Sequence, residues 1–277
     1  MIFSLIGKNK LLGFFCAVLV FNSALLAQKK SSPNFKNEMA LIEGGNYKPL
    51  YFDSTTTNMK VNSFYMDKYP VTNADFLIFV KQNPKWRKSK VKKIFAEKSY
   101  LINWKSDLEL GGKVSPKAPV TNVSWFAAKD YCECQGKRLP TVAEWEYAAQ
   151  ASETKPDGKD DKNYLQKIYD WYSTPTPNEI SRVGSKGKNY WGVYDLHGLI
   201  WEWNQDFSSS LVTGESRGNN GLEKNLFCGS GSVGAKDFKN YPAFMRFAFR
   251  SSLKANYTTA NLGFRCVKDL ENKRGKK

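Results

Sequence analysis

"GKRLPTVAEWEYAA", residues 136–149, is the stretch that decides the fold. Gly136 marks a helix stop, because glycine tolerates the left-handed backbone at a helix end. Thr141 then stands three residues before Glu144, the spacing at which a hydroxyl and a carboxylate each satisfy an orphan backbone donor of a new helix. One helix therefore ends and another begins within a few residues. Reading backward, "PVTNVSWFAAKDYCECQG" (119–136) ends a strand at Val120 and Val123, caps on Ser124, and sets Trp125, Ala128, Tyr131 and Cys132 on one helical stripe.

The same strand-then-helix scheme occurs upstream. "VNSFYMDKYPVTNADFLIFVKQ" (61–82) opens with Val61, Phe64 and Met66 at strand spacing, and Thr72 or Asn73 then caps a helix whose apolar face includes Phe76, Ile78, Phe79 and Val80. "MALIEGGNYKPL" (39–50) reads as strand, Gly-Gly turn and strand. Residues 83–117 form a basic, irregular insertion, and 152–190, rich in Lys, Asp, Pro and Gly, read as surface loop. Short strands and turns follow: "VYDLHGLIWEW" (193–203), "NLFCGSGSVG" (225–234) and "NLGFRCV" (261–267). The sum is a loop-rich, irregular α+β domain over residues 38–270, with no linker dividing it.

The chain has 277 residues, 41% of them hydrophobic, with 18 Phe, 14 Tyr and 8 Trp, so it can bury a sizeable core and is not an extended disordered protein. Lys8 and Lys10, the apolar run 11–21 and the small residues before Ala27 have the order of a secretory signal cleaved near Ala27. An 11-residue apolar core falls short of the roughly 20 residues a spanning helix needs, so stable membrane insertion is not expected. Residues 28–37 are a polar leader and 271–277 a basic tail. The mature protein is expected outside the cytoplasm, periplasmic or extracellular. The formal net charge of +16 is concentrated in "KWRKSKVKK" (85–93) and in the tail. Export argues against nucleic acid as the target, which leaves an anionic surface, a glycan or an acidic partner protein.

Four cysteines follow Ala27: Cys132, Cys134, Cys228 and Cys266, and they allow three pairings. Cys228 raises a sharper question, since it sits among Gly229, Ser230, Gly231 and Ser232. It is a nucleophile, a metal ligand, a thiol held in a loop or a disulfide partner, with Cys134 as the candidate mate. A nucleophilic cysteine needs a base or a depressed pKa, and the single histidine, His197, lies far along the chain. That histidine, with no second His or Cys at ligand spacing, reads as a solvent-facing loop residue.

Taken together, "MALIEGGNY", "FYMDKYPVTNADFLIFV", "PVTNVSWFAAKDYCECQGKRLPTVAEWEYAA", "GVYDLHGLIWEW" and "NLGFRCV" resemble the formylglycine-generating enzyme, or sulfatase-modifying factor, family in order and rough spacing. The resemblance implies a compact fold related to C-type lectins with a shallow groove. It implies a Cys132–Cys266 disulfide. It implies a calcium turn using the Asp195 side chain, the Gly198 and Ile200 carbonyls and the Glu202 carboxylate, although Leu199 stands where Asn is typical. It implies a groove for an extended peptide lined by Trp201, Arg250 and Asn261. The founding enzymes hold copper between two cysteines five positions apart. The matching positions here are Asp237 and Pro242, so copper is not expected. A single histidine likewise excludes the multi-histidine iron site of the related ergothioneine-pathway oxidases. The family then implies two classes. The first is a non-catalytic, exported domain that binds a protein or peptide client, as relatives do beside periplasmic metalloenzymes and in gliding or secretion machinery. The second is an oxidase of altered chemistry using Cys228 or another metal site.

Overall fold

The structure is a computed structural model that describes residues 38–48, 58–207 and 241–270, all within one compact unit. The expected signal, leader and tail, together with Cys228 and Asp237, lie outside the described residues.

The first strand β1 (Met39–Ile42) does not pair with β2 (Gly45–Tyr47) across the Gly-Gly step. β2 pairs antiparallel with β3 (Met59–Val61), whereas β1 pairs antiparallel with β4 (Phe64–Asp67). β4 in turn pairs antiparallel with β9 (Val267–Asp269), so the two ends of the described chain close one three-stranded sheet. Ile42, Phe64, Met66 and Val267 fill its buried face.

Helix α1 (Asn73–Gln82) begins as its sequence directs. Thr72 accepts from the Asp75 backbone and Asp75 reaches back to Thr72, a reciprocal cap. Phe76, Phe79 and Val80 are buried, but Ile78 is 41% exposed. The reason is rotational: the stripe 73, 76, 80 faces inward, and 78 lies off it. Helix α2 (Trp125–Cys134) caps on Ser124 and buries Ala127, Ala128, Tyr131 and Cys132. Trp125 is only half-buried and spends its indole N–H on the Asn204 carbonyl at 2.9 Å. Gly136 adopts φ 66°, and α3 (Val142–Ala149) caps on Thr141 with Glu144 completing the box.

The main core forms where α1 and α2 meet the C-terminal strand. The Phe76, Tyr131 and Phe264 rings pack with centroids 5.2–6.1 Å apart. The structure joins Cys132 to Cys266 through a disulfide at the same place, tying α2 to the residue before β9. Cys134, two residues on from Cys132, is exposed and forms no disulfide among the described residues; Cys228 lies outside them.

Two regions differ from the sequence expectation. The basic insertion holds a short 3-10 turn (Pro84–Trp86) and a hairpin, β5 (Trp104–Ser106) with β6 (Glu109–Leu110). Its Trp86, Tyr100, Leu101 and Trp104 are part of the main core, while its lysines, with Ile94 and Ile102, lie at the surface. The expected surface loop 152–190 contains α4 (Lys162–Ser173), capped by Asp161. Beyond it come β7 (Trp201–Glu202), the helix α5 (Tyr241–Ser251) and β8 (Leu262–Gly263). β7 and β8 pair in parallel, which sets Trp201 beside Leu262. A side chain on Gly263 would collide with the Val120 carbonyl, so this strand requires glycine.

Candidate functional site

A cleft of about 700 Å³ opens between α4, the segment 174–200 and the β7–β8 pair. Its floor is aromatic. Trp201 stacks on Phe249 with centroids 4.4 Å apart and on Tyr172 at 5.5 Å, and Trp171 lies 5.2 Å away. Asn261 stands next to Trp201 because its carbonyl accepts the Trp201 N–H at 2.8 Å. Trp201 and Asn261 therefore line the cleft together, as the sequence expectation grouped them.

Arg250 is elsewhere. It is 4% exposed and lies behind the cleft, donating to Glu146 Oε1 at 2.6 Å and to Asn204 Oδ1 at 2.8 Å, over the face of Trp145. Arg246, which the sequence reading did not single out, donates to both Glu146 oxygens at 2.6–3.1 Å. Burial would raise the Glu146 carboxyl, but the Arg246 and Arg250 guanidinium groups override it and hold it at about 2. The signal for Arg246 was present: on α5, residues 243, 246, 247 and 250 form one inward stripe carrying two arginines.

His197 is not a solvent-facing loop residue. Its ring sits among Trp145, Tyr164 and Trp171 on the cleft wall, and its Nε2 lies 3.0 Å from the Ala149 carbonyl and 3.1 Å from the Tyr164 hydroxyl. Nδ1 is buried without a partner. Burial, helped by the nearby Arg246 charge, lowers its pKa to about 3, so it is a neutral imidazole in an aromatic setting.

The turn 195–202 is built on unusual backbone. Asp195 adopts φ 60° and Gly198 φ 94°; the first is strained for a residue with a side chain, and the second favours glycine. Asp195 is buried. Its oxygens accept the backbone N–H groups of Gly184 and, at 2.8 Å, Lys186, and no side-chain cation among the described residues pairs with it. Burial pushes its carboxyl up, and the negative Glu202 adds to that. No described donor reaches the Gly198 or Ile200 carbonyls. Glu202 is more committed: Arg265 donates to both of its oxygens at 2.7–2.8 Å and Trp145 Nε1 donates to Oε2 at 2.8 Å. Oε2 is saturated, and Oε1 keeps one free lone pair. The four groups thus offer one carboxylate held only by two backbone N–H groups and the more distant Arg265 charge, two carbonyls with no described donor and part of a second carboxylate, a set of hard oxygen donors of the kind calcium takes. Among the described residues no three His, Cys, Asp or Glu side chains cluster as a metal site.

Of the two positions that the resemblance matches to the copper thiolates, Asp237 lies outside the described residues. Pro242 opens α5, where its carbonyl accepts the Tyr172 hydroxyl at 3.3 Å. The described lining of the cleft contains no thiol.

A family model, described as sulfatase-modifying factor enzyme 1-like domain, matches residues 24–270. The chain belongs to the sulfatase-modifying factor family. Its irregular, loop-rich α+β architecture is that family's fold. Among curated relatives, the serine/threonine-protein kinase pkn1 of Chlamydia pneumoniae is 26% identical over 245 residues, covering 84% of this chain and 38% of that protein. The formylglycine-generating enzyme of Streptomyces coelicolor is 33% identical over 172 residues, 56% of this chain and 54% of that protein. The inactive C-alpha-formylglycine-generating enzyme 2 of Mus musculus is 26% identical over 262 residues, 75% of each. The chain thus spans about two fifths of the chlamydial relative and about half of the Streptomyces one. Among solved structures, that of CarF matches with a TM-score of 0.49 and 16% identity over 84% of this chain and 98% of that one. Within the sulfatase-modifying factor family, then, this chain has an aromatic cleft beside a wall of buried ion pairs, and no described residue supplies the cleft with a thiol.

Proposed function

We propose that this chain is an exported, non-catalytic sulfatase-modifying factor domain that holds an extended peptide or protein client in the Trp201–Asn261 cleft and assists its maturation or assembly. One observation carries the reading: the cleft keeps a stacked aromatic floor for binding, while the chain has Asp237 and Pro242 at the positions of the copper thiolates. Aromatic rings supply apolar contact area at small entropic cost, which suits recognition of an extended chain without covalent chemistry. A relative named as inactive supports the idea that the scaffold outlives the reaction. The basic, then apolar, then small order of residues 8–27 supports export, to the periplasm or the cell exterior.

Calcium in this reading is a structural ion. Asp195 would supply the principal carboxylate, the Gly198 and Ile200 carbonyls two further oxygens, and Glu202 the oxygen it does not spend on Arg265. The ion would offset the buried charge of Asp195 and fix the turn that leads into Trp201. The expected result is a rise in the thermal midpoint with added calcium over chelator, absent in Asp195→Ala. No rise in the parent protein would refute it.

The main test uses the mature protein, Cu(I) under reducing conditions, and a sulfatase-type cysteine peptide. The expected outcome is no tight one-to-one copper binding and no aldehyde product. Aldehyde formation that disappears in Cys228→Ala would replace this reading with the altered oxidase. Peptides that do bind should lose at least tenfold in affinity in Trp201→Ala, which removes the floor of the cleft and leaves the ion-pair wall in place.

A further inference from the structure

We infer that the basic insertion carries a second binding site, for an acidic peptide segment with an apolar anchor residue. A separate pocket of about 410 Å³ lies where residues 85–95 fold against α2. Trp86, Phe95 and Phe126 form its floor. Phe95 packs edge-on to both others at 5.3–6.2 Å and remains 38% exposed. Its rim is cationic: Lys85, Lys90, Lys92 and Lys129.

Not all of these charges are available. Asp130 takes Lys85 at 2.8 Å and also accepts the Trp86 indole N–H, and Glu133 takes Lys129. Those two acids fix the wall of the pocket. Lys90 and Lys92 are exposed, and among the described residues neither makes an ion pair. The site therefore presents an open aromatic floor beside two exposed ammonium groups that no described carboxylate contacts, although Asp107 feels the Lys90 charge. An isolated basic face needs no such floor, and an exposed apolar floor needs no lysines. Both together fit a ligand that is apolar at one point and anionic around it.

The alternatives fit less well. None of the protein's own segments outside the described residues of ten residues or more is net acidic: 1–37 carry five lysines and no acid, and 208–240 carry four basic residues and three acids; the short 49–57 has one acid, and 271–277 has four basic residues and one acid. A second copy brings the same net charge of +16. A nucleic-acid strand needs a cationic track along which successive bases stack; here the aromatic floor is one compact cluster of Trp86, Phe95 and Phe126, a place for a single apolar side chain. The inference is independent of the cleft, because none of its residues lines that site.

The test is calorimetric titration of the full chain with a Glu-Asp-Phe-Asp-Glu peptide, blocked at both ends. Two control peptides replace the central Phe by Gly, or the four acids by Lys. Binding should weaken at least tenfold for either control, and at least tenfold in Lys90→Glu/Lys92→Glu, whose exposed positions leave the fold intact. Trp201→Ala should bind the peptide as the parent does. Several results would overturn the proposal. These are equal binding of the Gly peptide, no effect of the charge reversal, loss of binding in Trp201→Ala, and tighter binding of an oligothymidylate that displaces the peptide.

Discussion

Around α1 and α2 the buried groups are chiefly rings and methyls, with neutral polar groups such as Asn73 and Ser124 at the helix starts. Beneath the cleft they are carboxylates and guanidinium groups. In the first region Phe76, Tyr131 and Phe264 pack on one another beside a disulfide, and no member depends on a particular partner's charge. In the second, Glu202 and Arg265 are both fully buried and bound to each other, and Glu146 is enclosed by two arginines. The teaching is about tolerance. An apolar core loses stability in proportion to the surface and volume removed. A buried ion pair is self-consistent only when complete, since removing one partner strands a desolvated charge.

The contrast can be broken in several ways. The largest effect should come from the covalent tie of the first region. Cys132 and Cys266 are separated by 134 residues, and opening that loop by a double Cys→Ser change should cost about 4–5 kcal/mol in urea unfolding on the chain-entropy account. Next come Phe76→Ala and Glu202→Gln, each expected to cost about 3–5 kcal/mol. What separates them is rescue. Glu202→Leu with Arg265→Met should recover part of the loss, because the stranded charge leaves with its partner, while the Trp145 N–H and the Asp67, Lys68 and Tyr194 carbonyls lose theirs. If that double variant is no better than Glu202→Gln, the second region is not built as described.

A smaller, pH-dependent effect follows from His197. Its folded pKa of about 3 lies below the ordinary value of 6.5, so as pH falls past 6.5 the unfolded chain takes up a proton that the folded chain refuses. Stability should fall by about 2 kcal/mol between pH 7 and 5, and His197→Gln should flatten that slope. Glu146 acts lower on the scale. Its folded pKa is depressed from 4.5 to about 2, so its contribution is complete above 4.5 and is lost as pH falls through 2. The smallest effect belongs to neither region: Lys105→Ala removes an exposed i,i+4 pair with Glu109 and should leave the unfolding midpoint unchanged.

Much of the first region could be read along the chain. The caps at Thr72, Ser124 and Thr141 are local chemistry, since each hydroxyl bonds a backbone group three residues on. The stripe of α2 is local periodicity. Where local reading erred, the cause was equally local: Ile78 was assigned to a face one step wide of the true one, and the helical spacing of Tyr164, Ile168, Trp171 and Tyr172 was masked by the polar composition around it. The cleft was half legible. Trp201 and Asn261 were grouped by resemblance to a family, and they meet through the parallel β7–β8 pairing. Arg250 was grouped with them, but its guanidinium faces inward to a carboxylate 104 residues away.

The helix starts, the strand alternation and the family can be read along the chain, because each depends on residue identity or on neighbours within a turn or two. Which charges are buried together, the aromatic enclosure of the lone imidazole and the core tryptophans beneath the lysines of the basic insertion emerge in the folded arrangement alone. Burial and charge pairing are properties of side chains brought together from distant parts of the chain, and no spacing along it encodes which two will share one dry cavity.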